Sequence, residues 1–134
     1  MAITKTEEVA LRTAQDIVAA RQAARRLSQE IGFGIVDQTK LVTATSELAR
    51  NAVIYGLGGV MRCEVVSEQN RCGLRLQFVD HGPGIPDLDL AMTDGWTSGG
   101  GLGLGLSGAR RLVNDFAIDT APGKGTTVTI ARWK

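Results

Sequence analysis

Three groups of residues in this 134-residue sequence have the types and spacing to do chemistry. The first is a run of glycines, with Gly99, Gly100, Gly101, Gly103, Gly105 and Gly108 inside ten positions, leading into the helix-forming stretch ARRL. The first amides of a helix lack partners and carry partial positive charge, so bare backbone at a helix start attracts phosphate. Glycine lets that backbone approach the oxygens closely. A loop that is merely flexible is the alternative, although six glycines are costly to order without a purpose. The second group is Asp80-His81-Gly82-Pro83-Gly84-Ile85-Pro86, where Asp80 closes an apolar run. A carboxylate there can accept a hydrogen bond from an exocyclic amine such as that of adenine; it can equally cap a tight turn. The third is the pair Glu47 and Asn51, at i and i+4 and so one turn apart on one helix face. An amide oxygen suits Mg²⁺, which keeps waters and takes phosphate oxygens as well. A carboxylate one turn away can orient or deprotonate an attacking hydroxyl. A surface Glu and an ordinary helical Asn are the bland counterpart, though Asn inside a helix costs some stability.

Two familiar phosphate sites fail on sequence grounds. A P-loop needs GxxxxGK[ST], and no lysine occurs between Arg75 and Lys124. The dinucleotide pattern GxGxxG occurs at Gly103, Gly105 and Gly108, with Asp119 beyond it. That pattern must directly follow a strand, whereas TDGWTSGGG precedes it here, and too little chain follows for the remaining parallel strands.

The elements that must position these groups follow from periodicity. Ile3–Thr13 alternates as a strand. Asp16–Ile31 is an amphipathic helix with Ile17, Ala20, Ala24, Leu27 and Ile31 on one stripe, ended by Gly32 and Gly34. Asp37 can cap a second long helix that runs to about Tyr55 through Leu41, Ala44, Leu48 and Ala52. Two strands, Val60–Ser67 and Gly73–Asp80, flank a polar turn at Glu68–Arg71. Leu88–Thr93 reads as a short helix, and the glycine run leads into a helix through Phe116. The end reads as strand Ala117–Thr120, turn, and strand Thr126–Trp133. The order β-α-α-β-β-loop-α-β-β is not that of a doubly wound parallel sheet. It predicts an α+β two-layer sandwich, a mixed or mostly antiparallel sheet with helices on one face, built as one domain over residues 1–134.

Composition narrows the partners. Fifteen Lys and Arg against fourteen Asp and Glu give a net charge of +1, without the positive excess a duplex-DNA binder needs. Aromatic residues are only 4% of the chain, too few for a single-strand stacking platform. No nucleic-acid partner is expected, and with no apolar run near the roughly 18 residues of a membrane span, no membrane either. The N-terminus lacks a signal-peptide core. Cys63 and Cys72 lack metal spacing and read as buried or half-buried free thiols. These features place the chain in the cytoplasm.

Taken in order, ELARNAVIYG, DHGPGIPD, SGGGLGLGLSGARRL and GKGTTVTI resemble the four nucleotide boxes of the GHKL (Bergerat-fold) ATPase superfamily, over about residues 45 to 130. The resemblance implies ATP and Mg²⁺ as cofactors. It implies that Asn51 holds Mg²⁺, that Glu47 is the general base, and that Asp80 binds the adenine amine. Gly82 and Gly84 would line the base. Gly101, Leu102, Gly103, Leu104 and Gly105 would wrap the phosphates, and Thr126 would assist at the adenine. The chain is far shorter than gyrase, Hsp90 or MutL types. It lacks the phosphoacceptor histidine helix that usually accompanies histidine kinases, since its single histidine, His81, falls inside the nucleotide box. Within the small bacterial anti-sigma-factor-type kinases, DIVAARQ, GFGIVDQ, SELARN, GPGIPD and GARRLVNDF are similar to the RsbT-type switch kinases of the stressosome, over nearly the whole chain.

That resemblance implies a serine/threonine kinase of a partner-switching stress pathway. Its substrates would be STAS-domain scaffold proteins, and once released it would activate a PP2C-type phosphatase. An anti-sigma factor of RsbW or SpoIIAB type, whose nucleotide tunes affinity for a sigma factor, is the alternative; a histidine-kinase catalytic fragment is another. In the kinase reading Arg50 or Arg110 could bring positive charge to the phosphates, although each also reads as an ordinary solvated helix residue. Met92–Gly105, with Trp96, would form a lid, and the helix Asp16–Ile31 offers a docking face.

Overall fold

The computed structural model describes residues 1–85, 92 and 105–134. The expected helix over Leu88–Thr93, most of the Met92–Gly105 lid, and Gly101, Leu102, Gly103 and Leu104 lie outside the described residues.

Strand β1 (Ala2–Leu11) leads into helix α1 (Ala14–Ile31) and helix α2 (Ile35–Ile54). A hairpin of β2 (Gly59–Glu68) and β3 (Arg71–Asp80) follows. After the second glycine-rich segment come a short helix α3 (Leu106–Arg111), β4 (Asp115–Thr120) and β5 (Thr126–Trp133). The strands form one sheet in the order β1-β2-β3-β5-β4, and every pairing is antiparallel. The α+β reading holds, on the antiparallel side of what the element order allowed.

Alternation along the strands builds the core. Met61 and Cys63 on β2 sit opposite Phe78 and Leu76 on β3, which sit opposite Val128 and Ile130 on β5. All six side chains are buried against Ala20, Ala24 and Leu27 of α1 and Leu41, Ala44 and Leu48 of α2. Small alanines on the helices let them lie close to the sheet and to each other. Burying a Leu- or Phe-sized side chain stabilises the fold by about 1.5–3 kcal/mol.

Several element ends differ from the sequence expectations, each for a local reason. Helix α1 begins two residues before Asp16, because Thr13 is its N-cap and Asp16 is the third helical residue. The Asp16 carboxylate accepts the amides of Arg12 at 2.7 Å and Thr13 at 2.9 Å, and these bonds hold its pKa below the usual carboxylate value. Helix α2 is capped by Gly34, not by Asp37. Asp37 sits in its first turn and bonds the Arg132 guanidinium at 2.6 Å. The helix after the glycine run stops at Arg111 instead of reaching Phe116, and β4 begins at Asp115. The same Arg132 accounts for this. Its Nη1 donates to the Leu112 carbonyl at 2.9 Å, capping α3, while the Asn114 amide donates to the Ala131 carbonyl at 3.0 Å and draws the chain into the sheet. One guanidinium thus joins the start of α2, the end of α3 and β5.

Candidate functional site

Helix α2 presents two stripes to two different cavities. Leu48, Asn51, Ala52 and Tyr55 line an inner cavity of about 220 Å³ between the helix and the sheet. Thr43, Glu47 and Arg50 line an outer cavity of about 600 Å³ whose other wall is Gly105, Gly108, Ala109, Arg111 and Leu112. The division follows from helical spacing: 43, 47 and 50 fall on one stripe, 48, 51, 52 and 55 on the next. Glu47 and Asn51 therefore stand on either side of the boundary between the cavities.

The inner cavity is mostly apolar, walled by Phe78, Ile85, Leu106 and Val128. Asp80 and Thr126 bring polar groups into it from facing ends of β3 and β5, where the two residues are register partners. Asp80 Oδ1 accepts the Gly82 amide at 3.0 Å, the bond of a tight turn. Asp80 thus caps the turn and also faces the cavity. Thr126 is buried, and its hydroxyl lies 2.8 Å from the Thr120 hydroxyl. Thr120 also accepts the Ile85 amide at 2.9 Å and reaches the Gly125 carbonyl at 3.2 Å. This ties the loop after β3 to the turn between β4 and β5.

Of the two glycines expected against a flat base, Gly84 lines the inner cavity, with φ of +77°. Gly82 does not stand among its lining residues. It is buried against Gly56, and a Cβ at Gly82 would come within 2.6 Å of the Gly56 Cα. Gly56 in turn lines the cavity and touches the Asp80 side chain, its own missing Cβ leaving room for that carboxylate. Two backbones meet at Gly82, and Gly56 faces the cavity together with Gly84. Gly105 is the N-cap of α3 in the left-handed region at φ of +66°, and a Cβ on it would crowd the Glu47 carboxylate. Gly105 thus lies directly against Glu47.

Of the two arginines considered for the phosphates, Arg50 opens on the outer cavity; Arg110 does not, and its neighbour Arg111 does. His81 is exposed and lines neither cavity. Cys63 is buried and Cys72 half-buried, both free thiols, and burial pushes the Cys63 thiol up to about 12.

Residues 36–134 match the family described as histidine kinase-, DNA gyrase B- and HSP90-like ATPases. The chain belongs to this family. Within it, this GHKL-type ATPase is 44% identical to the serine/threonine-protein kinase RsbT of Bacillus subtilis, over 93% of this chain and 94% of that protein. That coverage makes it an RsbT-type member. It is 31% identical to an anti-sigma F factor of Bacillus licheniformis, over 70% of this chain and 68% of the other. Among solved structures it resembles the RsbU and RsbW domains of a Mycobacterium tuberculosis protein, with a TM-score of 0.68 and 24% identity. That match takes in 96% of this chain but 32% of the other, so the chain spans about a third of that structure. The catalytic domain of the histidine kinase ThkA matches with a TM-score of 0.55 and 14% identity over 96% of this chain and 95% of that domain. The two structural likenesses carry the fold.

The residues that sequence reasoning missed are Gly56, Thr120 and Arg111. Gly56 lies just past the expected end of the second helix, at about Tyr55, and Thr120 appeared only as a strand end. Their roles depend on contacts across 26 positions for Gly56 with Gly82 and 35 for Thr120 with Ile85. The adjacent arginines of the ARRL stretch differ by one helical step, and only the seating of α3 on α2 decides which one meets the cavity.

Proposed function

We propose that this ATP-dependent serine/threonine kinase phosphorylates STAS-domain scaffold proteins of a cytoplasmic partner-switching stress pathway and, once released, activates a PP2C-type phosphatase. The single observation that carries the phosphotransfer reading is the split of Glu47 and Asn51 between two adjoining cavities. One helix turn then holds a hydrogen-bonding amide on the nucleotide side and a carboxylate on the side open to a second reactant.

In this reading the inner cavity takes adenine. The base stacks in the apolar slot of Phe78, Ile85 and Val128, its amine donates to Asp80, and Thr126 assists from the facing strand. Gly84 keeps the wall close to the ring, and Gly82 does so indirectly by letting Gly56 and Asp80 come together. The phosphates extend past Asn51 toward the glycine run Gly101, Leu102, Gly103, Leu104 and Gly105.

Among the described residues there is no cluster of three or more His, Cys, Asp or Glu side chains able to hold a metal on their own. Asn51 offers a hard amide oxygen on the inner wall. This fits Mg²⁺, which is commonly bound by one or two protein oxygens together with phosphates and waters, and Asn51 would hold it. When bound, Mg²⁺ neutralises charge on the phosphates.

Glu47 receives the proton of the acceptor Ser or Thr hydroxyl. The acceptor oxygen forms its bond to the γ-phosphorus as the bond to the bridging β-phosphate oxygen breaks, leaving that electron pair on ADP. Catalysis is positioning plus charge compensation. The phosphorylated product then carries about two added negative charges beside Glu47, which favours its release.

The likeness to an anti-sigma F factor supports a second reading, a nucleotide-gated module that holds a sigma factor. One experiment separates the two. The purified chain is incubated with Mg²⁺, labelled ATP and STAS-domain proteins of the same genome, beside E47A and N51A. Label on a STAS Ser or Thr, lost in both variants, is expected. ATP binding without label on any STAS protein would refute the kinase reading for that substrate class and turn attention to sigma factors.

A further inference from the structure

We infer that the outer cavity is the port through which the acceptor segment reaches Glu47, and that Arg50 selects an acceptor carrying a carboxylate close to its hydroxyl. The inference rests on the kinase reading and deepens it by naming what the protein substrate must look like.

The cavity is built from two helices. Thr43, Glu47 and Arg50 descend one wall on α2, and Gly108, Ala109, Arg111 and Leu112 form the other on α3. At about 600 Å³ it has room for an extended segment of a few residues. Its lining residues Glu47, Arg50 and Gly105 are chain neighbours of Leu48, Asn51 and Leu106 in the inner cavity, so a hydroxyl entering the outer cavity meets the Glu47 carboxylate one residue from the inner wall.

Among the described residues, the charges facing this space are Glu47, Arg50 and Arg111. Arg50 lies three residues after Glu47 on the same stripe, is half-buried, and makes no ion pair among the described residues. A half-buried guanidinium is costly to leave uncompensated, and its planar fork suits a carboxylate. Glu47 cannot serve both as that partner and as the acceptor of the hydroxyl proton. A carboxylate on the incoming segment answers Arg50 and leaves Glu47 for the chemistry. Arg111 on the facing wall adds to the positive potential that draws such a segment in.

The same guanidinium could instead clamp the transferring phosphoryl group, and the test distinguishes these. Phosphotransfer to a purified STAS-domain protein is followed at varied acceptor concentration for the unaltered chain, R50E and T43W. Thr43 is an exposed helix residue whose enlargement obstructs the port without touching the core. Binding of a fluorescent ATP analogue to each variant reports whether the inner cavity has folded. With the inner cavity intact, R50E should raise the acceptor KM about tenfold with kcat little changed, because a rim charge acts on docking. T43W should raise KM as well. An acceptor whose acidic residue nearest the target Ser or Thr is changed to Lys should be a poor substrate for the unaltered chain and a better one for R50E.

A fall in kcat at unchanged KM in R50E would overturn the docking role and make Arg50 a phosphoryl clamp. Unchanged KM in both variants would overturn the port. Should R50E fail to bind the analogue, T43W and the altered acceptor with the unaltered chain still decide. No transfer by the unaltered chain to any STAS protein would remove the kinase reading for that substrate class, and the port for such an acceptor with it.

Discussion

The two cavities on either side of α2 are built on opposite principles. The inner one is small and apolar, and its polar groups are already engaged: Asp80 holds the Gly82 amide, and Thr126 is bonded to Thr120. The outer one is wider, and charged side chains from two helices line it. A site whose polar groups are preset by the fold selects one ligand by shape and pays little reorganisation on binding. A wide, charged site accepts a segment of another folded protein and reads it by potential. On the proposed function, nucleotide recognition and partner recognition are separated by one helical step, and a mutation on either stripe should disturb one function while sparing the other.

The sharpest break should come at the boundary. E47Q keeps the shape of the side chain and removes its basicity. The expected result is a loss of phosphotransfer of about 10²–10⁴-fold with nucleotide affinity retained, measured by single-turnover transfer and by equilibrium binding of an ATP analogue. Equal losses in both measurements would join the two cavities into one functional unit. On the inner side, D80N should weaken ATP binding about tenfold to a hundredfold, the scale of a hydrogen bond to a charged acceptor. Purine riboside triphosphate, which lacks the 6-amino group, should lose far less on the same substitution. A similar loss for both nucleotides would mean that Asp80 serves only the turn.

G56A tests the same wall through packing. An added Cβ would sit 2.5 Å from the Asp80 Cβ and 2.6 Å from its Oδ2, so the carboxylate must move. Overpacking of this kind costs about 1–3 kcal/mol. Denaturant unfolding should show that loss, and nucleotide affinity should fall with it, while G108A should do neither, since a Cβ there meets nothing within 4 Å.

These positions also mark how far the sequence could be read. The strands and the faces of α1 and α2 followed from alternation and from the three-and-four spacing of Ala20, Ala24, Leu27, Leu41, Ala44 and Leu48, because burial on one face leaves that pattern in any single chain. The ends were less legible. Thr13 and Asp16 form the pair of a capping motif with Asp in place of the usual Glu, and Asp37 looked like a cap because its bond to Arg132 spans 95 positions. The length of α3 was decided by the same Arg132 and by pairing of Asn114 with Ala131. At the site, the motif residues stood out by type, but the partition of α2 into two stripes needed the positions of β3 and α3. A glycine in sequence says that space is short, not which backbone has taken it, and so the contact of Gly56 with Gly82 and Asp80 was not legible.

The mildest effect is expected at Thr126, and it can be derived from counting protons. Thr120 has one hydroxyl hydrogen. It accepts the Ile85 amide at 2.9 Å, and its contact of 3.2 Å with the Gly125 carbonyl requires that it donate there. In that arrangement the Thr126 hydroxyl must supply the hydrogen of the 2.8 Å bond between the two threonines. Thr126 then offers only lone pairs to the inner cavity, as Asp80 does from the facing strand. Two acceptors converge on one place, which favours a ligand amine over a carbonyl at that edge of the base. T126V should therefore weaken ATP binding only about three- to tenfold, the scale of one neutral hydrogen bond. It should also narrow the preference for ATP over GTP, measured by competition against a fluorescent analogue. Thr120→Val should free the Thr126 hydrogen to point into the cavity and narrow the preference in the same direction. If T126V weakens ATP and GTP equally, Thr126 acts by filling space, and the polar design of the inner cavity reduces to Asp80 alone.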